Sequence, residues 1–334
     1  MLKLKLDSRK TLFKNISAFL MLAFALTLTS LFPASAALAQ SSSQANGFVI
    51  SPVRSEITVN KGQSQTVQLS VENPTNVATT VKAVVNDFVA SNDESGSPRL
   101  ILDSKTPRPA NNFQSLVSAI PNIQLAPQQK QYINVTIAVP PGANSGGYYG
   151  AIRFVPANLN QKFNVGLTAS AGSLFLITVP GNLTEKADLV QLSAANSKAN
   201  PTSFLTSGNV SVLTRIQNVG NIHVQPFGRI DVTDMFGHQV QSFEFNAAAG
   251  NILPGSTRQF VNKLKSQHWF GRYKISANLA YQQGNGNLIN ASATFYYFPV
   301  WFLIVVVVAI LIIIALIYRL ATRRTARSKK IRQN

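Results

Sequence analysis

Residues 296–318, "YYFPVWFLIVVVVAILIIIALIY", contain no charged side chain, and 301–318 is unbroken apolar sequence. At 1.5 Å of rise per residue that run is about 27 Å long, against a hydrocarbon core of about 30 Å. The alternative, a helix buried in a protein core, fits neither this length nor this position. Phe298, Trp301 and Phe302 at one end and Tyr318 at the other suit the two membrane interfaces. "RLATRRTARSKKIRQN" follows, with seven Lys/Arg and no acid, a composition that holds a flank in the cytoplasm. The reading is a transmembrane helix at 298–318 and a basic cytoplasmic tail at 319–334. It implies a single-pass plasma-membrane protein with an extracellular ectodomain.

The other terminus agrees. "MLKLKLDSRKTLFKN" is basic, "ISAFLMLAFALTLTSLF" is apolar, and "PASAALAQ" supplies an Ala-x-Ala site. This is the layout of a signal peptide over 1–39, with cleavage after Ala39 and a mature start at Gln40. The competing reading is an uncleaved first membrane helix.

Charge is then divided by compartment. Of 30 Lys+Arg, five lie in the leader and seven in the tail; of 12 Asp+Glu, one lies in the leader. The ectodomain keeps a surplus of about seven positive charges, far less than the whole-chain +18 suggests. No zinc-ligand spacing or RNA-binding aromatic motif accompanies it, so no nucleic-acid partner is expected. Cysteine is absent, which excludes disulfides and thiol chemistry.

Between the two apolar segments the sequence alternates. "TVQLSV" puts Val67, Leu69 and Val71 on one face and Gln68, Ser70 and Glu72 on the other. "QYINVTIAVP", "GSLFLITVP", "RIDVTD" and "KISANLAY" behave similarly, separated by turn clusters such as "NPTN", "NVGN" and "QGNGN". Many short strands at this spacing indicate an all-β ectodomain of immunoglobulin-like β-sandwiches.

Two sandwiches in tandem are expected from an internal echo. "VENPTNV" (71–77) and "IQNVGNI" (216–222) share the pattern [VI]-x-N-x-x-N-[VI]. Asn73 and Asn218 head these turns, where asparagine tolerates left-handed backbone. "KQY" (130–132) matches "RQF" (258–260), and each precedes a bend and a strand led by Tyr148 or Tyr273. The first copy is longer by 20 residues between its asparagine and its tyrosine. "SNDESGSPRLILDSKTPRPANNFQS" (91–115) is the expected home of the excess, read as an inserted, highly exposed loop. The domains expected are 40–181 and 182–297.

"GGYYGAIRF" (146–154) admits two readings, a phosphate cradle or the start of a strand. A cradle needs a helix after its glycines, and none follows. As a strand, it turns Tyr148, Gly150, Ile152 and Phe154 to one face, as Tyr273, Ile275, Ala277 and Leu279 turn in the second copy. Inward Tyr148 and Tyr273 with hydroxyls on nearby backbone would form tyrosine corners. Tyr149 and Arg153 then point outward, and are expected to be exposed.

No catalytic constellation emerges, and neither enzymatic activity, a cofactor nor a metal site is expected. His223, His238 and His268 lie apart. Asp231, Asp234 and His238 in "DVTDMFGHQ" would suit a metal or acid–base pair, but also a hairpin in which Asp234 bonds the turn and Gly237 supplies positive φ. Asp93 and Glu94 are expected to be solvated. "LPGST" (253–257) lacks the Leu-Pro-x-Thr-Gly order of a sortase signal and lies too far from the span, so the anchor should be kept. Sequons at Asn134, Asn182, Asn209 and Asn290 matter only in a eukaryotic secretory pathway.

The layout resembles the WxL-interacting cell-surface proteins of Gram-positive bacteria. In residues the resemblance is strongest at "FVISPVRSEITVNKGQSQTVQLSVENPT" (48–75) and "VPPGANSGGYYGAIRF" (139–154), and looser at "LPGS" and "GRYKIS". It implies a peptidoglycan-binding first domain and a second domain that binds host or partner proteins. Together with the basic surplus it points to a membrane-anchored binding or adhesion protein engaging cell-wall polymer or a surface protein. The candidate ligand-binding surface is Tyr149 and Arg153 with Arg99, Lys105 and Arg108 of the insertion. Deleting 92–115 is expected to weaken binding without unfolding the sandwich. The alternative is a structural stalk or accessory subunit of an envelope assembly or secretion complex.

Overall fold

The computed structural model describes residues 48–103, 105–157, 171–265, 268–281 and 287–331, with side chains to 320. The leader and its cleavage site lie outside the described residues.

In chain order the first sandwich contains β1 (Val49–Ser51), β2 (Arg54–Thr58), β3 (Ser64–Glu72), β4 (Thr79–Ala90), β5 (Pro98–Leu100), β6 (Ile123–Leu125), β7 (Lys130–Ala138), β8 (Gly146–Pro156) and β9 (Ala171–Val179). One sheet has the order β1-β3-β7; the other runs β2-β9-β8-β4-β5, with β6 also on β4. All pairs are antiparallel except β2 with β9. The second sandwich contains β10 (Ala187–Ala195), β11 (Phe204–Leu205), β12 (Ser211–Asn218), β13 (Phe227–Thr233), β14 (Gln239–Phe245), β15 (Thr257–Lys263), β16 (Gly271–Ala280) and β17 (Leu288–Tyr297). Its sheets are β10-β12-β15 and β11-β17-β16-β13-β14, again with one parallel pair, β11 with β17. The two orders correspond strand for strand, β14 standing where β5 stands; only β6 is extra.

Each sandwich has its own core. Leu69, Ile137, Ile152, Phe154 and Phe175 fill the first, and Ile230, Phe245, Ile275, Leu279 and Phe295 the second. Buried aliphatic and aromatic side chains of this size each contribute about 1.5–3 kcal/mol, the main force closing the paired sheets. Tyr148 and Tyr273 sit in these cores, two residues into β8 and β16. The Tyr148 hydroxyl donates to the Asn144 carbonyl (3.1 Å), and the Tyr273 hydroxyl accepts from the Phe270 N–H (2.9 Å).

The asparagines work differently from the expectation. Neither has positive φ. Both are fully buried and staple their turns through the side chain. Asn73 Nδ2 donates to the carbonyls of Val77 (2.8 Å) and Ala126 (3.0 Å), and Oδ1 accepts from Thr75 N–H (3.1 Å). Asn218 Nδ2 donates to Ile222 and Ile252 (both 2.8 Å), and Oδ1 accepts from Gly220 N–H (2.8 Å). Buried carbonyls need donors, and a primary amide supplies two at once.

The segment 91–115 is not a free loop. Pro98–Leu100 pairs with β4, and a single 3-10 turn at Phe113–Leu116 drives Phe113 and Leu116 into the first core. Phe113 stacks on Phe175 with centroids 5.5 Å apart. Gly150 is glycine because any side chain there would overlap the Phe113 ring. Asp87, itself fully buried, holds the turn by accepting the N–H groups of Phe113 (2.7 Å) and Gln114 (3.2 Å). Deleting 92–115 would therefore open the core, contrary to the expectation that the sandwich stays folded without it.

The final element, α1 (Val300–Ile331), starts two residues after the expected boundary and continues well past Tyr318. Its portion Val300–Leu320 is long and apolar enough to cross a membrane.

Candidate functional site

Tyr149 leaves the first sandwich on the face opposite Tyr148, but it is largely covered. It is only 9% exposed, because the second sandwich covers it. The expectation of an exposed Tyr149/Arg153 pair is thereby corrected: an outward position on a sheet becomes buried wherever another body packs there. Phe88, Leu176 and Tyr149 form a small apolar cluster joined by Leu253 from the second sandwich. Phe88 and Tyr149 have centroids 6.0 Å apart. Gly147 is open so that the Tyr149 phenol can fold back across it.

Polar contacts lock the seam around this cluster. The Tyr149 hydroxyl accepts the His223 N–H (2.7 Å) and lies 3.3 Å from His223 Nδ1. Gly147 N–H donates to Asn221 O (3.0 Å). Asn251 Nδ2 donates to Glu56 Oε1 (2.6 Å), and Glu56 Oε2 stands 4.0 Å from His223 Nε2. Farther out, Glu94 takes a bidentate pair of contacts from Arg215 (2.7 and 2.5 Å), and its carbonyl accepts the Gln259 N–H (2.8 Å). Glu94 is thus a clasp rather than a solvated loop residue.

Burial sets the protonation states here. It pushes the Tyr149 phenol far above its ordinary value, with the His223 N–H bond acting the other way. It pushes His223 down, against the pull of Glu56. A neutral imidazole with an unprotonated Nδ1 can accept from Tyr149, so both groups are structural at neutral pH.

Beside the seam lies a cleft of about 550 Å³. Phe88, Tyr149 and Leu253 give it an apolar floor; Asn111, Ser145 and Asn221 give it a polar rim. Asn111 Nδ2 is engaged by Gly147 O (3.1 Å), leaving its carbonyl oxygen to the rim. A few placed polar groups over apolar and aromatic surface is the usual composition of a binding site.

The other candidate residues are dispersed. Arg153 is half-buried and donates through Nε to Asn86 Oδ1 (3.0 Å). Arg99, Lys105 and Arg108 are exposed. Arg99 pairs with Val89, one residue out of step with Leu100 opposite Phe88, so it faces away from the seam. Arg108 leads directly into the cleft wall at Pro109. Burial pushes the Asp87 carboxyl above its ordinary value, against the Gln114 and Phe113 N–H bonds and, least, the charge of Arg108. Arg108 is the one cation of the set that borders the cleft through its chain neighbours.

From sequence, His223 is weighed only for a catalytic or metal role, and neither Phe88 nor Asn221 is singled out. Their signal was available only in part, in Gly147 and Gly150 beside two tyrosines. Asp234 acts in the β13–β14 turn, accepting the N–H groups of Phe236 and His238 (2.9 Å each) with Gly237 at φ +87°. Among the described residues no three His, Cys, Asp or Glu are grouped to hold a metal.

Residues 56–155 match the family model of the WxL Interacting Protein, peptidoglycan binding domain, the family the sequence resembles. The match spans β2 to β8 and includes the cleft residues Phe88, Asn111, Ser145 and Tyr149. No curated protein matches the chain. Among solved structures, a chaperone–tip adhesin complex of CFA/I fimbriae biogenesis is 14% identical, covering 73% of this chain and 98% of that one, with a TM-score of 0.37. The class 5 fimbriae chaperone CfaA is 15% identical over 75% and 99%, with a TM-score of 0.35. The E. coli chaperone DraB is 14% identical over 75% and 96%, with a TM-score of 0.32. Likeness at these scores carries no functional argument.

Proposed function

We propose that the chain is a membrane-anchored, non-enzymatic surface protein whose first sandwich binds cell-wall polymer at the seam cleft. The carrying observation is the match of 56–155 to a peptidoglycan-binding domain model, because that stretch supplies most of the cleft wall. The chemistry is compatible. Sugar rings and stem peptides present apolar faces for Phe88 and Tyr149, and hydroxyl and amide groups for Asn111, Ser145 and Asn221. Exposed Lys105 and Arg108 add charge attraction for an anionic polymer, screened over about 8 Å at physiological salt. The anchor is α1, with the ectodomain outside and the tail in the cytoplasm.

A stalk in an envelope assembly is the second reading, favoured by the polar locking of the two sandwiches. Co-sedimentation with purified cell walls separates them. The full chain in nanodiscs should pellet with the walls at low salt, and Arg108→Glu should weaken this. A chain that stays in the supernatant at low salt contradicts wall binding and leaves the stalk.

A further inference from the structure

The β13–β14 turn carries Met235 and Phe236 at its tip, where polar residues are usual. Phe236 is 74% exposed and belongs to neither core. Its position in the fold gives the exposure a meaning. Thr233 pairs with Lys274, and Gly271 with Tyr297, so the turn projects from the end of the sheet at which β17 leaves for α1. Two residues, Phe298 and Pro299, separate Tyr297 from the first helical residue, a reach of at most about 11 Å.

Contacts connect the turn to the helix. Gly271, at φ +95°, admits the Met235 side chain: a Cβ there would stand 2.9 Å from the Met235 methyl carbon. The next residue back, Phe270, meets Phe302 of α1 edge-on at 4.9 Å and Phe298 at 5.6 Å. Trp301 is exposed beside them, and Lys265 and Arg272 place cations at the same end of the sandwich. Lys265 is tied there by reciprocal bonds with the Gln241 side chain on β14.

The repeat supplies an independent reason. The β4–β5 hairpin occupies the corresponding place in the first sandwich, at the end where the chain leaves for its next body. Its tip clasps that body through Glu94 and Arg215. The next body after the second sandwich is α1 and whatever surrounds it.

We infer that the Met235–Phe236 tip inserts into the outer interface of the bilayer crossed by α1, with Lys265 and Arg272 against anionic headgroups, and so holds the second sandwich at a set angle to the membrane. The inference rests on the reading of α1 as a membrane span. Aromatic and long apolar side chains flanked by cations are what that interface favours.

The absence of cysteine allows clean single-site labelling. The full chain would be reconstituted in phosphatidylcholine/phosphatidylglycerol vesicles with an NBD label at Phe236→Cys, Ile312→Cys or Val77→Cys, the last an exposed turn of the first sandwich. The label at 236 should shift to the blue and lose emission to shallow doxyl-lipid, 312 should lose emission to deep doxyl-lipid, and 77 should respond only to aqueous iodide. Quenching at 312 with 236 behaving like 77 overturns the inference while leaving the span intact, and the tip then belongs to a protein partner. If 312 also behaves like 77, the membrane reading falls and takes the inference with it.

Discussion

The two sandwiches repeat each other strand for strand, down to a buried asparagine with matching partners and a tyrosine two residues into the corresponding strand. They differ between the fourth strand and the strand equivalent to β7. There the second sandwich has a bare hairpin, β13–β14. The first extends its hairpin with a segment that sends Phe113 and Leu116 into the core and adds β6 to the sheet. The comparison teaches that the shared scaffold is closed by the same few devices, while the hairpin and its downstream segment are free to acquire separate tasks. In the first copy that region clasps its neighbour and builds a cleft wall; in the second it presents an apolar tip.

The largest test of this contrast is Phe113→Ala. Removing a fully buried phenylalanine should cost about 3–5 kcal/mol, read as a lowered denaturation midpoint, whereas Phe236→Ser should stay within about 0.5 kcal/mol. Equal effects would erase the distinction between the two regions. Next come the staples. Asn73→Ala and Asn218→Ala each remove two side-chain donors to turn carbonyls and the acceptor of a turn N–H, and should each cost about 1–3 kcal/mol by chemical denaturation. A large cost at one and none at the other would mean that the repeat is one of sequence without shared energetics.

Tyr148→Phe and Tyr273→Phe sharpen the comparison at about 1 kcal/mol. Tyr273→Phe should cost more, because it strands the Phe270 N–H, whereas Tyr148→Phe strands only a carbonyl, which is easier to leave underbonded. Calorimetric melting of both variants reads the difference, and a larger loss at Tyr148 would contradict the ranking of a stranded N–H above a stranded carbonyl.

The smallest effect is that of pH on the seam. His223 is held below its ordinary 6.5, so its contribution is complete above that value and declines as pH falls through it. Glu94 is held below its ordinary 4.5 by Arg215, so its contribution persists to lower pH and is lost as pH falls below 4.5 toward its depressed value. The Glu94 share is below about 1 kcal/mol, because the pair is partly solvated. Denaturation midpoints tracked from pH 8 to 4 should show the decline beginning near neutrality, and His223→Gln should remove that early part. A stability that rises on acidification would contradict the sign.

Strand alternation, the paired turns and the inward tyrosines were legible in the sequence because each has a short period or recurs. The seam was not. Tyr149, Phe88 and Leu176 alternate to the outer face of a sheet, and a single sequence cannot say whether water or a second sandwich lies there. Phe113 was hidden for the opposite reason. It sits among Pro, Asn and Ser, a composition that reads as loop, and its burial depends on Gly150 nearly 40 residues away. The asparagines were found for the wrong reason, since their effect lies in side-chain amides and not in backbone tolerance.

The central claim is that the sandwiches act as one body across the Tyr149–His223 and Glu94–Arg215 contacts, so that the cleft is a standing feature. Spin labels at Val77→Cys and Val190→Cys, both exposed positions in a chain without native cysteine, report on it directly. Dipolar distance measurement on the full chain in nanodiscs at pH 7 should give one narrow distribution, broadened by Glu94→Gln together with Tyr149→Phe. A broad distribution in the unaltered junction would show that the two sandwiches move independently, and the cleft would lose its place as the binding site.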